Sequence, residues 1–389
     1  MTAFQPAKFR AFWKNDIVAC FIVALLWQLC LLFLGFLIDR HEHHNATLIG
    51  HTVRWDSNWY QAVIHDWYRT NLPSAAFYPL YPLTIWTTSL FGLFDLATSA
   101  FIVNIICLWL IGIALVRITH LLIGEKYRYL PFFFLLVSPA AIFMHFFYTE
   151  ALFLAIGSWA YLFALQKKWL FMSILLIGAV ACRLPGILFF GLCFLEFCRI
   201  HNWDIRSILH KNVLYFLLPP LGFIGYGIYL YWTQRDFLGM FHAYTHTTDW
   251  IYQKFNPDIF ETLLRAAYQI LRYFLGLRPF DYDLFINHLL PLSALGLLIL
   301  SSLYFIFTAK KKFIPLGISG LIATILFTLN SNVVSVHRYV LPMFGIYLFL
   351  TLLWIQYSKL RYGIVVGCIA SVILQLYLFD RFISNVFIG

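Results

Sequence analysis

The sequence predicts an all-α protein that crosses a membrane many times. Three observations carry this. Of its 389 residues, 62% are hydrophobic and only 11% charged, against about 25% charged in soluble domains. Aromatic residues make up 20%, with 41 Phe, 23 Tyr and 13 Trp. Phe suits lipid-facing helix surfaces, and Trp and Tyr suit the headgroup belts. Finally, apolar runs recur near the length of about 20 residues that a spanning helix needs.

Candidate spans fall near 17–38, 98–122, 129–147, 150–166, 169–182, 185–199, 212–232, 286–308, 313–329, 339–357 and 362–380, which makes about 11. The first run is too long for a signal-peptide core and reads as a retained helix. Basic residues gather in every second connection: Lys8, Arg10 and Lys14; Lys126 and Arg128; Lys167 and Lys168; Arg199, Arg206 and Lys211; Lys310, Lys311 and Lys312; Lys359 and Arg361. This positive-inside alternation predicts a cytoplasmic N-terminus. It also requires two segments over 169–199, since a single span there would invert every later loop. The net charge of +10 is thereby assigned to topology. No basic domain stands apart, which argues against nucleic acid as a partner.

The seven cysteines lie in or beside apolar runs, with no CxxC spacing, so neither a disulfide framework nor a zinc site is indicated. Two connections are long, about 39–97 and 233–285, and both fall on the extracytoplasmic side. Loops of this length in a compact protein are usually functional. Their aromatic content predicts short helices at the membrane surface. No internal repeat is visible, so the chain reads as a single domain over 1–389, and the secondary-transporter alternative loses support.

Candidate chemistry gathers in these outer segments. In Arg54-Trp55-Asp56-Ser57-Asn58-Trp59-Tyr60 a short helix would pair Arg54 with Asn58 and Trp55 with Trp59 on shared faces. It would hold Asp56 at headgroup depth. The same pattern fits an aromatic anchor capped by its Asp, and the residues alone do not separate the two. In Ala76-Phe77-Tyr78-Pro79-Leu80-Tyr81-Pro82 the prolines argue against a regular helix and for a broken segment packed on protein or lining a lipid groove. Glu150 follows Thr149 at a turn, where it is either a first-turn helix residue or a partner for a buried cation. Arg183, before Leu184-Pro185-Gly186, wants a carboxylate or a phosphate. His337 and Arg338 suit a phosphate oxyanion or plain snorkelling. His242, His246 and Asp249 have a metal-capable spacing that reads better as hydrogen-bonded interface residues beside Trp250. His41-Glu42-His43-His44 reads as a solvated turn.

Together these segments resemble the PIG-V family of membrane mannosyltransferases, in its prokaryotic branch, within the GT-C class of polytopic glycosyltransferases. Trp55-Asp56 is similar to the family's first-loop WD motif, and Ala76 to Pro82 to its AFFPLYP motif. Ser138-Pro139-Ala140 through Tyr148-Thr149-Glu150-Ala151-Leu152-Phe153 resembles NPASIF…YSESLF. Arg183-Leu184-Pro185-Gly186 resembles TRxxG, and Arg338-Tyr339-Val340-Leu341-Pro342 resembles RYxLP. The chain departs at His65-Asp66-Trp67-Tyr68, where many members have Gly-Tyr, and at Ser138, where they have Asn.

The resemblance implies a GT-C-like bundle. It also implies transfer of a monosaccharide, most often mannose, from a polyprenyl-phosphate donor to a glycolipid or glycan hydroxyl on the extracytoplasmic face of a bacterial inner membrane or its equivalent. Asp56 carries over as the essential first-loop carboxylate. Arg338, His337 and Arg183 are then expected at the donor phosphate. Arg54, Trp55, Asn58, Trp59, Glu150 and Tyr78 are expected to position substrates. No nucleotide is present in such a donor, so no cofactor or divalent metal is expected, and Asp281-Tyr282-Asp283 is incidental. A lipid or solute transporter without transferase activity is the alternative.

Overall fold

The computed structural model describes residues 6–42, 47–69, 72–245 and 254–389. His43, His44, His246, Asp249 and Trp250 lie outside the described residues. The described chain is helical, with one isolated bridge pairing Phe255 and Asn330. Among the described residues eighteen α-helices follow in order, interspersed with short 3-10 turns and one π-helical turn at Phe285–Leu289. The first is α1 (Pro6–Glu42). The loop after it carries α2 (Asp56–Asp66) and α3 (Leu80–Thr88). Then come α4 (Leu96–Leu122), α5 (Leu130–Leu136), α6 (Glu150–Leu165), α7 (Trp169–Cys182), α8 (Gly186–Ile200), α9 (Ile205–Ile208) and α10 (Leu221–Gln234). The second long connection carries α11 (Gly239–Thr245), α12 (Ile259–Phe274) and α13 (Tyr282–Leu284). The remainder is α14 (Leu290–Phe307), α15 (Ile314–Thr328), α16 (Val336–Val340), α17 (Gly345–Gln356) and α18 (Leu360–Ile383).

Among the described residues, six helical segments are long and apolar enough to span a membrane: 15–42, 96–122, 211–234, 282–307, 311–328 and 360–383. Shorter apolar helices α6, α7 and α17 lie among them. The outer helices expose apolar side chains, such as Phe33 on α1 and Ile369 and Ile373 on α18. Lipid, not water, is the medium in which such a surface is stable. At the centre, α6 packs on α4, α7 and α8, and α15 on α8 and α14. One continuous apolar core joins these helices to both long loops.

Three expected spans are not continuous α-helices. Segment 212–232 is a 3-10 turn up to Leu217 and α10 from Leu221, with Pro219 and Pro220 between. Segment 129–147 breaks after α5 into a 3-10 turn at Pro139–Met144. Segment 339–357 breaks between α16 and α17, where Pro342 lies. A proline lacks the N–H that an uninterrupted helix needs and clashes with the preceding turn. Segment 169–199 is two helices, as charge alternation required. Arg183 between them is extended (φ −159°, ψ 151°), and Gly186 explains its own identity. A Cβ there would collide with the Ala179 carbonyl, so only glycine lets α8 start so close to α7.

The Ala76–Pro82 segment is broken, as expected: a 3-10 turn ends at Ala76, residues 77–79 are not helical, and α3 starts at Leu80. Pro79 caps α3 and Pro82 lies within its first turn, where a missing N–H costs nothing. The segment packs on protein with Tyr78 and Tyr81 buried. All seven cysteines are free thiols.

A buried polar chain ties α1 and α4 to the first loop. His51 Nε2 meets His145 Nε2 at 3.0 Å, and His145 Nδ1 meets the Gln28 side-chain oxygen Oε1 at 2.7 Å. Asn104 donates to the carbonyl of Phe146 at 2.7 Å. Burial holds the His51 imidazole down to about 4 from an ordinary 6.5. The unfolded chain therefore binds a proton that the folded one refuses, so stability is full above about 6.5 and is lost as pH falls toward 4. The melting temperature in detergent should fall across that window, and fall less in His51→Gln. Identical pH profiles for the two proteins would contradict this reading of the pair.

Candidate active site

Four charged residues from distant parts of the sequence meet at the end of the bundle that carries both long loops. Each sits where a helix starts or breaks. Asp56 is the first residue of α2, Glu150 the first of α6, Arg183 the joint between α7 and α8, and Arg338 lies in the one-turn helix α16. Glu150 is fully buried. Its Oε1 accepts from Arg183 Nη1 and from Arg338 Nε. Arg338, itself 4% exposed, reaches on through Nη1 to Asp56 Oδ2 at 2.7 Å. Asp56 is the accessible member, its side chain 27% exposed.

Aromatic rings sandwich both cations. The Arg338 guanidinium lies 4.5 Å from the Tyr148 ring and 5.1 Å from Phe143. Arg183 lies 5.6 Å from Tyr339 and 5.9 Å from Phe153. Ring faces attract cations while excluding water, which keeps the ion pairs in a low dielectric. Tyr60 donates to the Thr149 hydroxyl at 3.4 Å beside Glu150.

The remaining sequence-derived candidates divide. Arg54 is committed elsewhere: it pairs with Asp39 at 2.9 Å and donates to the Gly50 and Val53 carbonyls. It pins the first loop to the end of α1. Arg54 and Trp55 precede α2 rather than lying on it, so the expected face sharing with Asn58 and Trp59 does not arise. Trp55 instead caps the helix with φ 53°, a rare conformation for a bulky residue and a mark of local strain. The Trp55 side chain is 38% exposed, Asn58 is exposed, and Trp59 stacks on Phe77 at 5.7 Å. Asp56 does not cap; its carboxylate faces Arg338. Tyr78 joins Tyr226, 5.2 Å between ring centres, in an aromatic cluster beside the loops.

His337 is buried and turns away from the carboxylates. Its Nε2 donates to the Ile388 carbonyl at 2.8 Å, and burial holds its imidazole down to about 4. It is therefore neutral. His242 meets Asp236 at 2.7 Å. Asp281 and Asp283 are both held by Arg278.

Four further neighbours of the site were not among the expected site residues. Tyr148 and Tyr339, both inside the quoted motifs, flank the arginines. Tyr244 of α11 lies within electrostatic reach of Asp56, Arg183, Arg338 and Tyr339, and burial pushes its phenol above the ordinary range. The fourth is the segment after α18, whose main chain reaches both His337 and Arg338.

A bundle of full and half-length apolar helices, with a buried charge cluster under two loops at one end, is the build of an integral, multi-pass membrane protein. The chain is similar to ArnT from Cupriavidus metallidurans, whose crystal structure is bound to undecaprenyl phosphate. The likeness covers 93% of this chain and 71% of that one, with a TM-score of 0.56 and 13% identity. At that identity it is a likeness of fold. No protein-family model matches the chain, and no curated protein matches it in sequence.

Removing Glu150's charge strands two buried guanidinium groups with one partly exposed carboxylate between them. Glu150→Gln should destabilise the protein by about 3–5 kcal/mol. Adding Arg183→Gln should recover part of the loss. Unfolding in detergent measures both. A Glu150→Gln protein as stable as wild type would show that the ion pairs contribute nothing.

Proposed function

We propose that the protein is an inverting glycosyltransferase. It moves a monosaccharide, mannose by its family resemblance, from a polyprenyl phosphate to a hydroxyl of a glycolipid or glycan. The reaction takes place on the extracytoplasmic face of the membrane. The observation that carries this reading is the shared guanidinium. Arg338 links a water-accessible carboxylate, Asp56, to a buried, aromatic-walled cation cluster. The fold likeness to a protein bound to undecaprenyl phosphate supports a lipid phosphate as the group those cations receive.

The chemistry follows from the charges. The acceptor hydroxyl oxygen attacks the anomeric carbon from the face opposite the phosphate. The bond from that carbon to the phosphate oxygen breaks, and its electron pair leaves with the lipid phosphate. Asp56 takes the hydroxyl proton. The transition state has oxocarbenium character, as in glycoside hydrolysis. A β-linked donor then gives an α-linked product. Arg338 and Arg183 stabilise the charge that grows on the phosphate.

At rest, Asp56 Oδ2 accepts from Arg338 Nη1 at 2.7 Å. A phosphate that takes over the guanidinium releases that carboxylate oxygen to accept from the acceptor hydroxyl. The acceptor is positioned by Trp55, Asn58 and Trp59 around Asp56.

Asp56→Asn should lower transfer by about 100-fold or more while leaving the melting temperature near wild type. The assay uses purified protein, several polyprenyl-phosphate sugars and a panel of lipid acceptors. Near-normal turnover in Asp56→Asn would remove Asp56 from the role of base. Transport of lipid or solute, with no transfer from any donor, would replace the enzyme reading.

A further inference from the structure

The segment Ser384–Gly389 follows α18 and crosses the charge cluster. Helix α18 stops at Ile383, and Asn385 adopts φ 62° to turn the chain back. Ser384 Oγ donates to Glu42 at 2.7 Å. Tyr282 donates to the Phe387 carbonyl at 2.8 Å. The Phe387 ring meets Trp55 edge-on at 5.6 Å, directly beside Asp56. Ile388 is buried, 1% exposed, and its carbonyl accepts from His337 Nε2 at 2.8 Å. The main-chain oxygen of Gly389 lies 3.4 Å from Arg338 Nη1.

Residues 388 and 389 meet two adjacent donors of the proposed phosphate site. At Nη1 of Arg338, Asp56 accepts at 2.7 Å and the Gly389 oxygen at 3.4 Å. At His337, Nε2 donates to the Ile388 carbonyl. Two successive main-chain oxygens therefore occupy N–H donors, one on each residue, that a phosphate oxygen could otherwise accept from.

We infer that segment 384–389 is a strap that mimics the donor phosphate at rest and must yield when the donor binds. This rests on the proposed donor site at Arg338. The strap is held by main-chain oxygens, one ring edge, the Ser384–Glu42 bond and the buried Ile388 side chain, and of these the main-chain oxygens are the contacts that a charged phosphate can replace with stronger ones. Its departure also takes Phe387 off Trp55 and opens the approach to Asp56. Donor binding and acceptor access are thus coupled through one segment, and apparent donor affinity is reduced by the fraction of molecules with the strap closed.

The test is binding of a sugar-free polyprenyl monophosphate to the purified full-length protein, compared with three variants. Deletion of Phe387–Gly389 removes the oxygens at issue and leaves α18 intact. Gly389→Ala is the milder variant. A Cβ there would sit 2.7 Å from His337 Nε2 at φ 139°, so the substitution pushes the strap off without shortening the chain, and it decides the matter if the deletion does not fold. Both should bind about threefold to tenfold more tightly than wild type, and Arg338→Gln should lose binding. Unchanged or weaker binding in both strap variants, with binding still lost in Arg338→Gln, overturns the strap and leaves the donor site standing. Equal binding by Arg338→Gln and wild type, or no binding by any protein, overturns the donor site and the strap with it.

Discussion

The structure turns on one buried carboxylate. Glu150 is sealed in an apolar bundle, where an unpaired charge is expensive. It is stable because two arginines come to it, from 33 and 188 positions away. Meeting that requirement draws together the start of α6, the joint between α7 and α8, and the break before α17. Arg338 then extends the pairing to Asp56, 282 positions away, and so fastens the first loop over the bundle. Removing the carboxylate would free every element that frames the site.

The helix breaks make this possible. A spanning helix buries its backbone polar groups in its own hydrogen bonds and presents only side chains. Breaks at 139–144, 183–185 and 341–344 end helices inside the protein, and two of the four charges sit at or beside such a break. At rest the cluster is balanced, two acids against two arginines. On the proposed reading a lipid phosphate brings further negative charge, and the proton that Asp56 takes from the acceptor offsets it. The group with water access is the one whose charge can change.

Much of this was legible in the sequence. Charge alternation separated α7 from α8, and the long aromatic loops foretold short helices. Of the two partners open to Arg183, a carboxylate or a phosphate, the structure supplies the carboxylate of Glu150. What was hidden depends on backbone conformation or on distant pairing. Hydropathy registers 129–147 and 339–357 as apolar without showing that prolines interrupt them. It cannot show that Trp55 adopts positive φ, which takes it off the helix and leaves Asp56 to open α2. Arg338 looked free to take a phosphate because its two carboxylate partners are far away in sequence. The strap is invisible for a plainer reason: it acts through main-chain oxygens, which every residue has.

The central claim is that the guanidinium of Arg338 is shared between Asp56 and a lipid phosphate. A structure of the full-length protein in lipid nanodiscs, determined with and without a polyprenyl monophosphate, tests it most directly. The account predicts phosphate density within hydrogen-bond distance of Arg338, with Asp56 displaced from its resting contact and Glu150 still holding both arginines. Phosphate bound elsewhere, with the contact between Arg338 and Asp56 unchanged, would contradict it.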